Sequence, residues 1–192
     1  VGTVFMAVGA GRMSRSRVWT RRAAAIEALG SATALCTDKT GTLTENQMGI
    51  AEVWLPNGQH ASADGGISGA FAALVYTGAR AAASQAFDPM DRAFLVHHVP
   101  QEELSLERVY GLRPELLAVT QAWREHGSKA FTVATKGAPE AIARLCKLPA
   151  AKAARMADAV NAMAAKGLRV LGLASASHFG KPPKHPSGSR FR

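Results

Sequence analysis

Residues 35–48 read Leu35-Cys36-Thr37-Asp38-Lys39-Thr40-Gly41-Thr42-Leu43-Thr44-Glu45-Asn46-Gln47-Met48, and residues 38–44 decide how the rest of the chain is read. The apolar run Ala32, Ala34, Leu35 predicts a short strand over residues 32–37, with Cys36 a small buried side chain on it. That strand would deliver Asp38 to a turn. Lys39 adds a positive charge, and Thr40, Thr42 and Thr44 add hydroxyls. Gly41 lets the backbone turn tightly enough for its N–H groups to face an anion. An aspartate at a strand end with these neighbours suits a carboxylate nucleophile that accepts a phosphoryl group.

Asp38-Lys39-Thr40-Gly41-Thr42-Leu43-Thr44 resembles the phosphorylation signature of P-type cation-transporting ATPases. Lys136-Gly137-Ala138-Pro139-Glu140, about a hundred residues on, resembles the nucleotide-domain motif of that family. Asp88-Pro89-Met90-Asp91-Arg92-Ala93 and Gly167-Leu168-Arg169-Val170-Leu171 match in the family's order, so the resemblance runs over residues 1–174.

The resemblance implies an α/β chain. An antiparallel sheet flanked by helices would bind the nucleotide, attached to the first strand of an incomplete Rossmann-like phosphorylation domain. Residues 1–16 would be the cytoplasmic end of a membrane helix, 17–31 a stalk, 32–50 the start of the phosphorylation domain and 51–174 the nucleotide-binding domain. The chain would then be a fragment on the cytoplasmic face of a membrane. Its partners would be ATP, the remainder of the pump and the transported cation.

The resemblance also implies roles. Asp38 would take the γ-phosphoryl of ATP, with Lys39 and Thr40 beside it. Mg²⁺ would be held by the Asp38 carboxylate and the Thr40 backbone carbonyl. Lys136 and Gly137 would lie at the adenine end, Tyr110 would stack on adenine, and Asp91 would bond its amino group. Asp88 belongs to the same motif or serves as a helix cap. Arg169 would reach the phosphates with its planar fork.

Departures from the family pattern matter. Glu115 stands near where a lysine is often found, which points to weak nucleotide affinity with Arg113 compensating. The family's Thr-Gly-Asp-Gly-x-Asn-Asp segment, which completes the magnesium site, is not present, so the chain by itself is expected not to turn over ATP. Phosphatases of the same haloacid-dehalogenase superfamily place a second Asp where Thr40 stands. Without that acid a phosphoenzyme persists, which suits a pump. The rivals are a non-catalytic nucleotide-binding module and a soluble phosphatase of this superfamily.

Composition fits one globular domain or slightly more: 192 residues, 47% hydrophobic and 19% charged. Net charge is +9, and Arg12, Arg15, Arg17, Arg21 and Arg22 crowd behind an apolar start. Such a run beside apolar sequence reads as a membrane-helix flank. Only Trp19 interleaves with it, which argues against a nucleic-acid partner. Residues 1–10 are apolar but half the length of a span. Cys36 and Cys146 form no ligand or disulfide pattern, and a metal role for His97-His98 finds no spaced partners.

Along the chain, residues 51–55 predict a strand, Pro56-Asn57-Gly58 a turn and residues 62–69 a loop. Residues 70–86 predict a helix, and Asp88-Pro89 the cap and first turn of the next one. Strands are predicted over 109–110, 116–123, 131–134 and 168–174, and helices over 139–145 and 150–165. Residues 175–192, rich in Pro, Lys, Ser and His, predict a disordered tail or a terminus that has lost the family pattern.

Overall fold

The computed structural model describes residues 2–83, 86–97 and 104–191. The chain forms two units, residues 1–46 and 47–192. In the first, α1 (Gly2–Arg15) and α2 (Ala23–Gly30) are the regular elements. The 14 residues of α1 rise about 21 Å, and no helix among the described residues is long and apolar enough to cross a membrane.

The second unit opens with a hairpin. Strand β1 (Glu52–Trp54) pairs antiparallel with β2 (His60–Ser62). Asn57 shapes the turn, its side chain accepting from the Gln59 N–H at 2.9 Å. Helices α3 (Gly69–Ala81) and α4 (Pro89–Leu95) follow. Asp88 caps α4, accepting from the Met90 N–H at 2.8 Å, and Pro89 sits in the first turn where its missing N–H costs nothing.

A four-stranded antiparallel sheet in the order β3-β4-β5-β6 is the body of the unit. It comprises β3 (Leu104–Tyr110), β4 (Ala118–Glu125), β5 (Ala130–Gly137) and β6 (Gly172–Phe179), with α5 (Pro139–Leu145) and α6 (Ala150–Ala165) between the last two strands. The mixed α/β class and the antiparallel sheet flanked by helices are as the sequence implies.

Side-chain alternation gives the sheet two buried faces. On one, Tyr110, Ala118, Ala122, Phe131, Val133, Ala174 and Ala176 pack with Ile142 and Leu145 of α5. The opposite side carries Val75 and Ala79 of α3, Phe94 of α4 and Val53 of β1, with Leu171 and Leu173 against them. Thr120 and Thr135, fully buried, satisfy each other across β4 and β5 through a 2.8 Å hydroxyl bond.

Several expectations fail. Residues 32–37 form no strand, and Cys36 is exposed. A strand needs neighbours for its N–H and C=O groups, and no described strand pairs with this segment. The expected Rossmann-like first strand is therefore not formed. The final strand is shifted from residues 168–174 to Gly172–Phe179, where it matches the full length of β5 from Gly172↔Gly137 to Phe179↔Ala130.

The tail is also not a disordered appendage. Residues 175–179 belong to β6, and Phe191 returns to bury its ring in the Tyr110 cluster. Residues 84–85 of the expected helix, and His98, lie outside the described residues.

Candidate functional site: an acceptor loop and a buried lysine face

The loop that carries Asp38 closes on itself. The Leu43 and Thr44 N–H groups donate to the Lys39 carbonyl at 3.0 and 3.2 Å. Gly41 takes φ +77°, a left-handed conformation that costs other residues about 1 kcal/mol or more. Its N–H donates to Thr44 Oγ1 at 3.4 Å, so one of the three threonine hydroxyls serves the loop. Asp38, Lys39 and Thr40 are all exposed. The carboxylate is therefore reachable by a donor from solvent.

The magnesium donor set does not fit. Asp38 and the Thr40 carbonyl supply two kinds of oxygen, and Mg²⁺ binds through near-octahedral oxygen shells with dedicated carboxylates. Among the described residues no group of three or more His, Cys, Asp or Glu could hold a metal.

The residues expected to grip the nucleotide fall in different places. Lys136 leaves β5 on the α3/α4 side and forms an ion pair with Asp91 of α4. Both are buried, at 9% and 6% exposure. The other Asp91 oxygen, Oδ2, accepts from the Ala83 N–H at 3.0 Å, so both carboxylate oxygens are engaged. Burial lowers the Lys136 pKa from its ordinary value, and the charge of nearby Asp88 opposes that shift. Asp88 itself is exposed and serves as the α4 cap.

Tyr110 lies on the other side. It pairs with Thr120, which pairs with Thr135, the neighbour of Lys136. Successive residues of a strand face opposite ways, so Tyr110 and Lys136 are on opposite faces. The Tyr110 ring is 7% exposed, packed in the α5 core, and its hydroxyl donates to the Pro183 carbonyl. Arg108 lies over the ring at 5.7 Å and donates to the same carbonyl at 3.1 Å. In this arrangement the Tyr110 ring is packed into the α5 core rather than presented to solvent.

Gly137 is a spacing residue. A Cβ there would overlap the Leu117 carbonyl oxygen and stand 2.6 Å from Ala118 Cα. Arg169 is exposed on the segment leading to β6.

Two residues on the Lys136 face escaped the sequence reading. Gln121 and Trp123 share its face of the sheet, two and four positions from Val119, the partner of Lys136. Trp123 Nε1 donates to the Arg80 carbonyl at 2.6 Å, and Arg80 stacks on Tyr76 at 4.3 Å. A lone glutamine between Thr120 and Ala122 in an apolar strand was the available signal. A cavity of about 120 Å³ lined by Ile67, Ala72, Val75, Tyr76 and His97 is smaller than the ~300 Å³ at which ligand clefts begin.

Comparison with known proteins addresses a stretch of this chain. Over 57 residues it is 51% identical to "Probable cation-transporting ATPase F" of Mycobacterium tuberculosis, covering 30% of the chain and 6% of that protein. Over 66 residues it is 50% identical to "Cation-transporting ATPase pma1" of Synechocystis, covering 34% of the chain and 7% of that protein. That stretch is similar to P-type cation-transporting ATPases. "Calcium-transporting ATPase 1" of Lactococcus lactis matches at 43% identity over 56 residues, 29% of the chain and 6% of that protein. The matches thus span about 6% of the length of these P-type ATPases, and no family model matches the chain.

Proposed function

We propose that this chain carries the phosphoryl-acceptor loop and the nucleotide-binding domain of a P-type cation pump. A carboxylate oxygen of Asp38 attacks the γ-phosphorus of ATP and forms an acyl phosphate. The bond from that phosphorus to the β–γ bridging oxygen breaks, and ADP leaves with the electron pair. Lys39 neutralises charge on the phosphoryl oxygens as they approach the carboxylate. Thr40 supplies no acid for hydrolysis, so the acyl phosphate persists. The parent protein would couple this step to cation movement across a membrane, with this portion on its cytoplasmic face.

The observation that carries the reading is the exposed Asp38 on a self-closed loop beside Lys39, in a chain with a stretch similar to P-type cation-transporting ATPases. The test is incubation of the full chain with radiolabelled ATP and magnesium. Acid-stable, hydroxylamine-labile label is expected on Asp38, absent from Asp38→Asn, without sustained phosphate release. Label that survives in Asp38→Asn, or continuous turnover, overturns the reading.

The thin donor set favours a second reading, a nucleotide-binding module without transfer. ATP binding with no label on Asp38 is its signature.

A further inference from the structure

The resemblance casts Asp91 as a recogniser of adenine, yet its carboxylate has no oxygen to spare. One oxygen holds Lys136 and the other holds the Ala83 N–H at 3.0 Å. Lys136 and Asp91 are nine-tenths buried, between β5 and α4. The pair ties three segments together: the residues just after α3 through Ala83, the first turn of α4 through Asp91, and the end of β5 through Lys136. A ligand arriving at this face would meet a lysine already neutralised and covered.

We propose that Asp91 is a positioning residue and that the Asp91–Lys136 pair is a lock on this face of the sheet, which a nucleotide must open before Lys136 can touch it. The inference rests on the nucleotide-binding role proposed for this domain. It reverses the expected effect of removing the carboxylate. A recogniser lost weakens ATP binding; a lock removed strengthens it. The apparent affinity of a locked site falls by the fraction of molecules that are open.

The experiment uses the full chain and four proteins: wild type, Asp91→Asn, Lys136→Met and the double variant. Urea unfolding reads the pair, and ATP titration followed by tryptophan fluorescence reads the gate. Each single variant is expected to lower the urea midpoint, because it strands a buried charge or polar group. The double variant is expected to recover at least half of that loss, because a buried pair replaced together leaves nothing unpaired. Asp91→Asn is expected to bind ATP about tenfold tighter than wild type, and Asp91→Glu to restore weak binding.

Additive losses in the double variant overturn the lock. ATP binding that is equal or weaker in Asp91→Asn overturns the gate and returns Asp91 to recognition. If neither single variant folds, the double decides: folding supports the lock, and failure to fold overturns it. A recovered midpoint in the double variant, with no ATP bound by any of the four, keeps the pair as a structural lock and removes the nucleotide reading instead.

Discussion

Tyr110 and Lys136 belong to the same four-stranded sheet but face opposite ways, because Tyr110 stands in register with Thr120 and Thr135 and Lys136 is one residue further along β5. A planar base resting on one side cannot touch both. The lysine side carries Asp91, Gln121 and Trp123, whereas the tyrosine side is filled by α5 and by the returning tail.

Tyr110 should therefore behave as a core residue. Tyr110→Phe removes the hydroxyl bond to Pro183 and is expected to cost about 1 kcal/mol. Tyr110→Ala empties a buried ring site and is expected to cost on the order of 3 kcal/mol. ATP affinity of the Phe variant should stay within twofold of wild type. Urea unfolding with ATP titration checks both, and a large affinity loss in the Phe variant would restore the stacking role.

Phe191 gives the tail a measurable function. It is 8% exposed within the Tyr110 cluster. Phe191→Ala should destabilise the second unit by about 3 kcal/mol. Ending the chain at Gly180 should do at least as much, since Pro182 and Pro183 also accept from Arg108. A disordered tail would leave the thermal midpoint unmoved.

Gly137 should not tolerate a methyl group. Gly137→Ala drives a Cβ into Leu117 and Ala118, and forced overpacking of this kind costs about 1–3 kcal/mol. Gly111 has nothing within 4 Å of a built Cβ, so Gly111→Ala is the matched control and should be near neutral. Equal midpoints for the two would show that β4 and β5 separate freely at this point.

The buried lysine makes a prediction about pH. Its folded pKa is depressed by burial, so between that value and the ordinary lysine value the unfolded chain binds more protons. Stability contributed by this site therefore rises with pH across that window, and the burial penalty is fully present below it. The midpoint of wild type relative to Lys136→Met should move in favour of wild type as pH rises toward the ordinary lysine range. A difference that is flat or falls with pH would contradict the stated effect of burial.

Much of the second unit was legible because local chemistry decides it. Asp88 and Pro89 start α4, Pro139 starts α5, and the alanine run over Ala150–Ala165 forms a helix to the residue. Asn57-Gly58 places the hairpin turn. What was not legible depends on partners. Residues 32–37 have strand composition and no ladder to join. The register of β6 is set by the length of β5, and Phe191 is buried by contacts far along the chain. The side on which Tyr110 falls follows from β3 pairing, which shifts between Leu106 and Arg108. Asp38 stood out because its signature is contiguous, and its side chain is exposed. The residues expected to grip a nucleotide are scattered, and spacing alone cannot tell which side of a strand each takes.

The hydroxyl pair at Thr120 and Thr135 acts as a keyway for the strands. Sliding β5 against β4 by one position would carry Thr135 to the other face, away from Thr120, and turn the Lys136 amine toward Ala118, Ala122 and Ile142. Misaligned assembly is thereby penalised twice, once on either side of the sheet. Exchanging one threonine for valine would disarm half of that safeguard, and exchanging both would leave alignment to shape alone.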